Sequence, residues 1–319
     1  MVKNEEDRAA SRERLEEGLR KLLQESPDHR EVDASIEAWH GQKEATQDLA
    51  SQLSEQLRLI LAPTLASQLK GDYRSGKRLS MRRIIPYIAS EYRKDRIWLR
   101  RTRPARRQYQ VLLAVDDSKS MREGRSAALA VQTLALLSGA LSHLDVGELG
   151  VLAFGDEVRL LHPLGTPISS EAGGRLLRSF TFDAPQTDIS GLLQGSLALL
   201  EEARGRIVGP AGEDLWQLEI ILSDGVCQDH DRVRSLCRQA AEARIMLLFI
   251  VLDDKPEDQS ILRTSTVRYE MVDGKLQLKM TQYMDEFPFA YYVVLRDLAS
   301  LPSVVADALR QFFAMVQGM

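Results

Sequence analysis

The sequence predicts an α/β protein: a doubly wound, mostly parallel sheet flanked by helices, with an inserted β-hairpin and an N-terminal helical and basic extension. Three observations predict it. From Gln110 onward, short apolar runs alternate with helical stretches, the rhythm of strand–helix–strand units. The runs are continuous, as in Val111-Leu112-Leu113-Ala114-Val115, which is the pattern of strands covered on both faces. The composition supports a sizeable core, with 44% of 319 residues hydrophobic and 28% charged.

Residues 1–62 read as helical, polar and mostly acidic. Leu15, Leu19, Leu22 and Leu23 form one apolar stripe. A second helical segment runs from about Asp33 to Leu61, with Leu49, Leu53, Leu57 and Leu61 in register and Pro63 after them as a stop. Ser26-Pro27-Asp28 separates the two. Residues 63–108 are expected to form a basic arm laid on the next domain. Between Lys70 and Arg107 there are fourteen Lys or Arg and three acids, interleaved with Tyr73, Tyr87, Tyr92 and Trp98. That mixture suits either RNA or an acidic partner, or a solvated arm. Arg100 to Arg107 could also serve as a nuclear-import signal.

Residues 109–319 carry the predicted sheet. Strands are expected at Val111–Val115, Leu149–Phe154, Val158–Leu161, Leu218–Ser223, Ile245–Leu252 and Tyr291–Leu295. Helices are expected at Ser126–Leu144, Gly191–Ala203, His230–Ala243 and Leu301–Val316. Two insertions interrupt this rhythm, near 205–214 and 254–289. In the second, Val267–Met271 and Leu276–Met280 flank Asp273-Gly274, a strong hairpin signal.

Several function classes are disfavoured. Cys227 and Cys237 have neither a zinc spacing nor the number for a disulfide framework, which points to a reducing compartment. The charged start, Met1 to Asp7, lacks an apolar signal core. No run of uncharged apolar residues reaches the roughly 18 of a membrane span. The five histidines are scattered without a nucleophile at catalytic spacing. Gly71-Asp72-Tyr73-Arg74-Ser75-Gly76-Lys77-Arg78 approaches a phosphate-binding loop, but Arg78 stands where Mg²⁺ needs a hydroxyl.

The chemistry concentrates at strand ends. Asp116-Asp117-Ser118-Lys119-Ser120 is a D-x-S-x-S pattern at the carboxyl end of the first strand, where open parallel sheets bind ligands. Asp116, Ser118 and Ser120 can aim one carboxylate and two hydroxyls at one point, hard oxygen donors suited to Mg²⁺ or Mn²⁺. Alone, such a loop is commonly only a helix N-cap. Thr187, before the Gly191 helix, and Asp224, ending the Leu218 strand, fall at the same sheet edge and favour an ion site. Asp117 should point away from Asp116 and stay exposed or support the ligands. A phosphotransferase built on Asp116 and Asp117 would call for D-x-D, and Ser118 stands at the third position.

Residues 110–316 resemble the von Willebrand factor A (VWA) family, whose metal-ion-dependent adhesion site reads D-x-S-x-S, then Thr, then Asp-Gly. The resemblance implies a Mg²⁺ held by Asp116, Ser118, Ser120, Thr187 and Asp224, with one position left for a partner's carboxylate. Lys119, Asp188 and Gly225 would flank the partner. From about residue 45 the chain also resembles the C-terminal end of the giant AAA+ ATPases of large-ribosomal-subunit assembly. Gly71–Leu79, Arg83–Ser90, Lys94–Thr102 and Ala114–Met121 carry that likeness; residues 1–44 do so only loosely. This second resemblance implies a nuclear, non-catalytic hook. It would capture ubiquitin-like domains of assembly factors on the pre-60S particle and work with the AAA+ ring of the full-length protein. A protein that binds RNA through residues 70–107 is the alternative.

Overall fold

The computed structural model describes residues 14–25, 31–61, 69–76, 78–101, 108–122, 125–144, 147–206, 215–225, 227–256, 260–272 and 275–317. The expected break at 26–28, the stop at Pro63, the basic run 102–107, most of the 205–214 loop and the turn residues 273–274 lie outside them. Contacts divide the chain into two units, residues 1–60 with 108–319, and residues 61–107.

The first unit is built on a six-stranded sheet: β4 (Gln108–Asp116), β5 (Glu148–Phe154), β6 (Val158–His162), β7 (Leu215–Ser223), β8 (Ile245–Leu252) and β11 (Tyr292–Leu295). Their order is β11-β8-β7-β4-β5-β6, with every neighbouring pair parallel except β5 with β6. The order reverses between β4 and β7, since β4 continues to β5 on one side and β7 to β8 on the other. Loops leaving the carboxyl ends of those two strands therefore diverge and open a crevice.

All eight residues of β8 are buried, as its unbroken apolar run requires of a central parallel strand. One sheet face presents Leu112, Ala114, Leu152, Phe154, Ile221, Phe249 and Val251. It packs on α8 (Ile189–Arg206), α9 (His230–Glu242) and the Phe287–Phe289 segment. Successive side chains alternate faces, so Leu113, Val115, Ile220 and Leu248, all buried, point the other way. There α6 (Ser126–His143) contacts β8. By length and composition α6 is apolar enough to cross a membrane. In this fold fourteen of its 18 residues are buried.

Helices precede the sheet. Residues 14–24 form α1. The segment expected as one helix from Asp33 to Leu61 is two, α2 (Val32–Ala45) and α3 (Gln47–Leu61). At the junction, the Thr46 hydroxyl donates to the Gln42 carbonyl at 2.8 Å, a local bond that competes with helix continuation. Helix α2 lies on α7 (Ser170–Ser179), a helix the sequence reading left unassigned. The side-chain-free surface of Gly173 and Gly174 admits Trp39 and Ile36, and a Cβ at either glycine would collide with them. Trp39 is fully buried as a result.

The second unit has a three-stranded antiparallel sheet, β1 (Leu69–Tyr73), β3 (Trp98–Arg101) and β2 (Arg78–Leu79), with helix α4 (Met81–Ala89). Arg78 opens a strand, so the Gly71–Lys77 stretch does not lead into the helix a phosphate-binding loop needs. The expected hairpin is present as β9 (Ser265–Val272) and β10 (Lys275–Gln282), paired in continuous antiparallel register.

Candidate metal centre

Asp116 is the last residue of β4 and is fully buried. Its two oxygens are held from opposite sides. The Ser118 backbone N–H donates to Oδ1 at 2.9 Å, and the Ser223 hydroxyl donates to Oδ2 at 2.5 Å. Ser223 ends β7, so this bond ties the two strand ends across the point where the sheet order reverses. Burial pushes the Asp116 carboxyl up to about 6, the bonds from Ser223 and Ser118 pull it back, and the charge of Asp224 adds to the rise. The two carboxylates are thus close enough to feel each other.

The Ser118 and Ser120 hydroxyls converge, with their oxygens 3.0 Å apart. Ser118 is buried, while Ser120, on the short helix α5 (Lys119–Arg122), is exposed. One buried rim and one open rim make a site that reaches solvent. Among the described residues no group of three or more His, Cys, Asp or Glu gathers anywhere. The donors here are instead two carboxylates and several hydroxyls, a hard-oxygen set that fits a divalent cation without giving it excess negative charge.

Of the two expectations for Asp117, exposed or supporting the ligands, the structure takes the second. Asp117 is buried, and it gathers the segment that delivers Thr187. Oδ1 accepts from the backbone N–H groups of Thr181 at 2.8 Å and Phe182 at 2.6 Å; Oδ2 accepts from the Thr181 hydroxyl at 2.7 Å and from Arg159. Phe182 sits at φ +50°, a left-handed conformation costly for a bulky residue, and the Asp117 clamp holds it there. Further along, Lys119 N–H donates to the Ala184 carbonyl at 2.8 Å and Asp188 N–H to the Gly155 carbonyl at 2.9 Å. Thr187, half-buried, lies between those two tethers on the edge that carries Ser118. Burial raises the Asp117 carboxyl, against the lowering effect of Thr181, Phe182 and Arg159. Asp117→Ala should therefore destabilise the fold by about 2–3 kcal/mol, the worth of losing several bonds to one buried carboxylate. Urea unfolding measures this, and a loss below about 0.5 kcal/mol would remove the clamp from the account.

Asp224 follows β7 and is nearly buried. Gly225 takes φ +87°, and a Cβ there would press on Ile261 and Val251, so glycine is required for the turn. The Tyr283 hydroxyl, on the 3₁₀ turn after β10, donates to the Gly225 carbonyl at 2.9 Å and accepts from Cys227 N–H at 2.7 Å. Burial pushes this phenol up to about 12, which keeps it a donor.

Of the residues expected to flank a partner, Lys119 and Asp188 are exposed and Gly225 is buried. Asp188 also caps α8, its Oδ1 accepting from Gly191 N–H at 2.8 Å. Ser223, Thr181, Arg159 and Tyr283 escaped the sequence reading. Ser223 had a signal, as the residue just before Asp224; the other three act through contacts distant in sequence.

No family model matches the chain. It is 39% identical over 306 residues to midasin of Dictyostelium discoideum, covering 96% of this chain and 5% of that protein. It is 37% identical over 273 residues to midasin of Giardia intestinalis, covering 85% of this chain and 6% of that protein. The chain thus spans about one twentieth of the length of these relatives. Among solved structures, it is similar to a conserved hypothetical protein BatB from Bacteroides thetaiotaomicron, with TM-score 0.42 and 15% identity over 65% of this chain and 99% of that one. It is similar too to the SpRpn10 VWA domain, with TM-score 0.40 and 12% identity over 61% and 94% of the two chains. The fold itself rests on the strand order, with its single antiparallel edge and its crevice between β4 and β7. This chain is a homologue of one short segment of midasin, folded as a doubly wound, mostly parallel α/β domain.

Proposed function

We propose that the domain is a metal-dependent binding module that captures a carboxylate of a partner protein. The observation that carries this reading is the meeting of Asp116, Ser118 and Ser120 from the β4 end with Asp224 from the β7 end, at the reversal of the sheet. Asp116, Ser118, Ser120, Thr187 and Asp224 would hold Mg²⁺, with Mn²⁺ as a substitute. When bound, the ion supplies positive charge and an open position for an outside carboxylate. The protein's part is to fix its own oxygens. Asp116 is oriented by Ser223 and the Ser118 N–H, and the Thr187 segment is anchored by Asp117. Two carboxylates balance the charge of the ion and the three hydroxyls are neutral, so the site carries no surplus negative charge to repel an incoming acid at the open position.

The likeness to midasin supports a specific setting. The partner would be a ubiquitin-like domain of a ribosome-assembly factor on the pre-60S particle, in the nucleus. The module would act as a non-catalytic hook for the AAA+ ring of a longer protein. The test is the affinity of the purified chain for an isolated ubiquitin-like domain, by calorimetry, in Mg²⁺ and in EDTA. Binding is expected in Mg²⁺, absent in EDTA and restored by Mn²⁺. Equal affinity in EDTA would leave the ion no part in capture.

A further inference from the structure

The charge of this chain is strongly segregated. The segment 70–107 carries a net +11, and the whole chain −4, so the remainder carries −15. Within the second unit the cations are not spread evenly. Arg82, Arg83, Arg93, Lys94 and Arg96, with Pro86 and Asp95, line a cleft of about 540 Å³. Five cations therefore line one concavity with one carboxylate; Asp95 is already engaged by Arg74 at 3.0 Å, and Glu91 reaches Arg93 at 3.8 Å. Among the described residues, no salt bridge neutralises Arg82, Lys94 or Arg96.

An exposed aromatic residue directly precedes the cleft-lining run Arg93 to Arg96 in sequence. Tyr92 immediately precedes Arg93 and is 65% exposed. It is placed there by two successive left-handed residues, Glu91 at φ +52° and Tyr92 at φ +66°, neither a glycine. Its N–H closes the turn on the Tyr87 carbonyl at 3.0 Å, and its ring meets Tyr87 edge-on with centroids 5.1 Å apart. Each such conformation costs on the order of 1–3 kcal/mol, and here the pair closes the C-terminal end of α4 and leaves Tyr92 exposed beside Arg93. The exposed apolar residues of α4, Met81, Ile85 and Ile88, lie on the flank of the helix away from Arg82, Arg83 and Pro86. The cleft wall is therefore cationic rather than greasy.

We propose that this cleft binds a single nucleic-acid strand, the five cations holding its phosphates and Tyr92 stacking on a base. A strand alternates negative charge with flat apolar faces, which is what cations beside an exposed ring recognise. An acidic protein surface matches the charge but has no use for the ring. The site is separate in chemistry from the carboxylate centre, since it needs an anion and no metal.

Fluorescence anisotropy of the whole chain with a labelled 12-residue oligouridylate, in EDTA, tests this. Binding is expected at 50 mM salt, with log K falling against log salt at a slope of about −3.5, from about 0.7 per phosphate. Arg93→Ala with Arg96→Ala should flatten the slope by about 1.4. Tyr92→Ala should weaken binding about tenfold and leave the slope unchanged, a loss of roughly 1.4 kcal/mol. Oligothymidylate binding as well as oligouridylate assigns the recognition to phosphate and base stacking; a strong preference for the ribose strand adds the 2′-hydroxyl and keeps the site. Asp116→Ala should leave all of this unchanged, which separates the result from that of carboxylate capture. Absence of binding at 50 mM salt, or a slope indifferent to the two arginines, overturns the proposal. So does displacement of the strand by polyglutamate at equal charge together with no effect of Tyr92→Ala, which would give the cleft to an acidic protein.

Discussion

Asp116→Ala is expected to reduce Mg²⁺-dependent binding of a ubiquitin-like domain at least a hundredfold while the chain stays folded. The two halves of this expectation have different physical sources. Asp116 is held on both of its oxygens, so its loss removes the charge and the fixed point of the ion site together. A hundredfold corresponds to about 2.7 kcal/mol, the scale of losing a desolvated charge pair at an interface. The fold survives because the substitution deletes a carboxylate whose burial is itself unfavourable, as its rise to about 6 shows. That gain offsets the Ser118 N–H and Ser223 hydroxyl left without their acceptor. Calorimetry for binding and circular dichroism for folding are the measurements. A variant that binds within fivefold of the parent would exclude Asp116 from capture. A variant that unfolds moves the test to Ser120→Ala, at an exposed hydroxyl, where a tenfold loss is expected.

Glu219→Gln should stabilise the protein increasingly as pH rises. Glu219 lies in the middle of β7, fully buried. Its Oε2 accepts from the Ser196 hydroxyl at 2.8 Å, and among the described residues nothing bonds its Oε1. Burial pushes its carboxyl up to about 8, with Ser196 pulling back only in part. The folded protein therefore holds a proton at pH 7 that the unfolded chain has released. Where the native state binds more protons, stability falls with rising pH, here between about 4.5 and 8. At about 1.4 kcal/mol per pH unit, this one group removes on the order of 5 kcal/mol over that window. The amide cannot ionise and lacks the dependence. Urea unfolding in EDTA at pH 5, 7 and 8.5 should show near-equal stabilities at pH 5 and a gap of about 3–4 kcal/mol in favour of Gln at pH 8.5. Parallel stability curves for the two proteins would mean that Glu219 titrates normally.

Local sequence carried the sheet. A run such as Ile245–Leu252 has nowhere to go except the middle of a parallel sheet, because every one of its side chains must leave water. Asp-Gly between two alternating runs could form only a tight reversal, and β9 and β10 pair in the corresponding register. The D-x-S-x-S stretch was legible because one loop contains all three side chains. Other elements were not legible. Helix α7 is short and contains two glycines, which weaken its helical signal, and those glycines are where the Trp39 ring and Ile36 pack. The irregularity at Thr46 that divides the 33–61 helix coincides with a hydroxyl back-bonded to Gln42, a signal that many helical threonines share.

By itself the sequence determined which residues could serve as ion donors and which segments had to be buried, since both follow from side-chain chemistry and local period. Only the tertiary structure decided how the donors are aimed. The orientation of Asp116 comes from Ser223, 107 residues away, and the placement of the Thr187 segment comes from Asp117, Arg159 and Thr181 acting together. Such bonds join strand ends made neighbours by the reversal of the sheet, and no local pattern encodes which ends will meet. Asp117 illustrates the difference: its neighbours along the chain left open whether its side chain faces solvent or supports the ligands. Burial obliged its carboxylate to find four donors, and those donors shape the site's third wall.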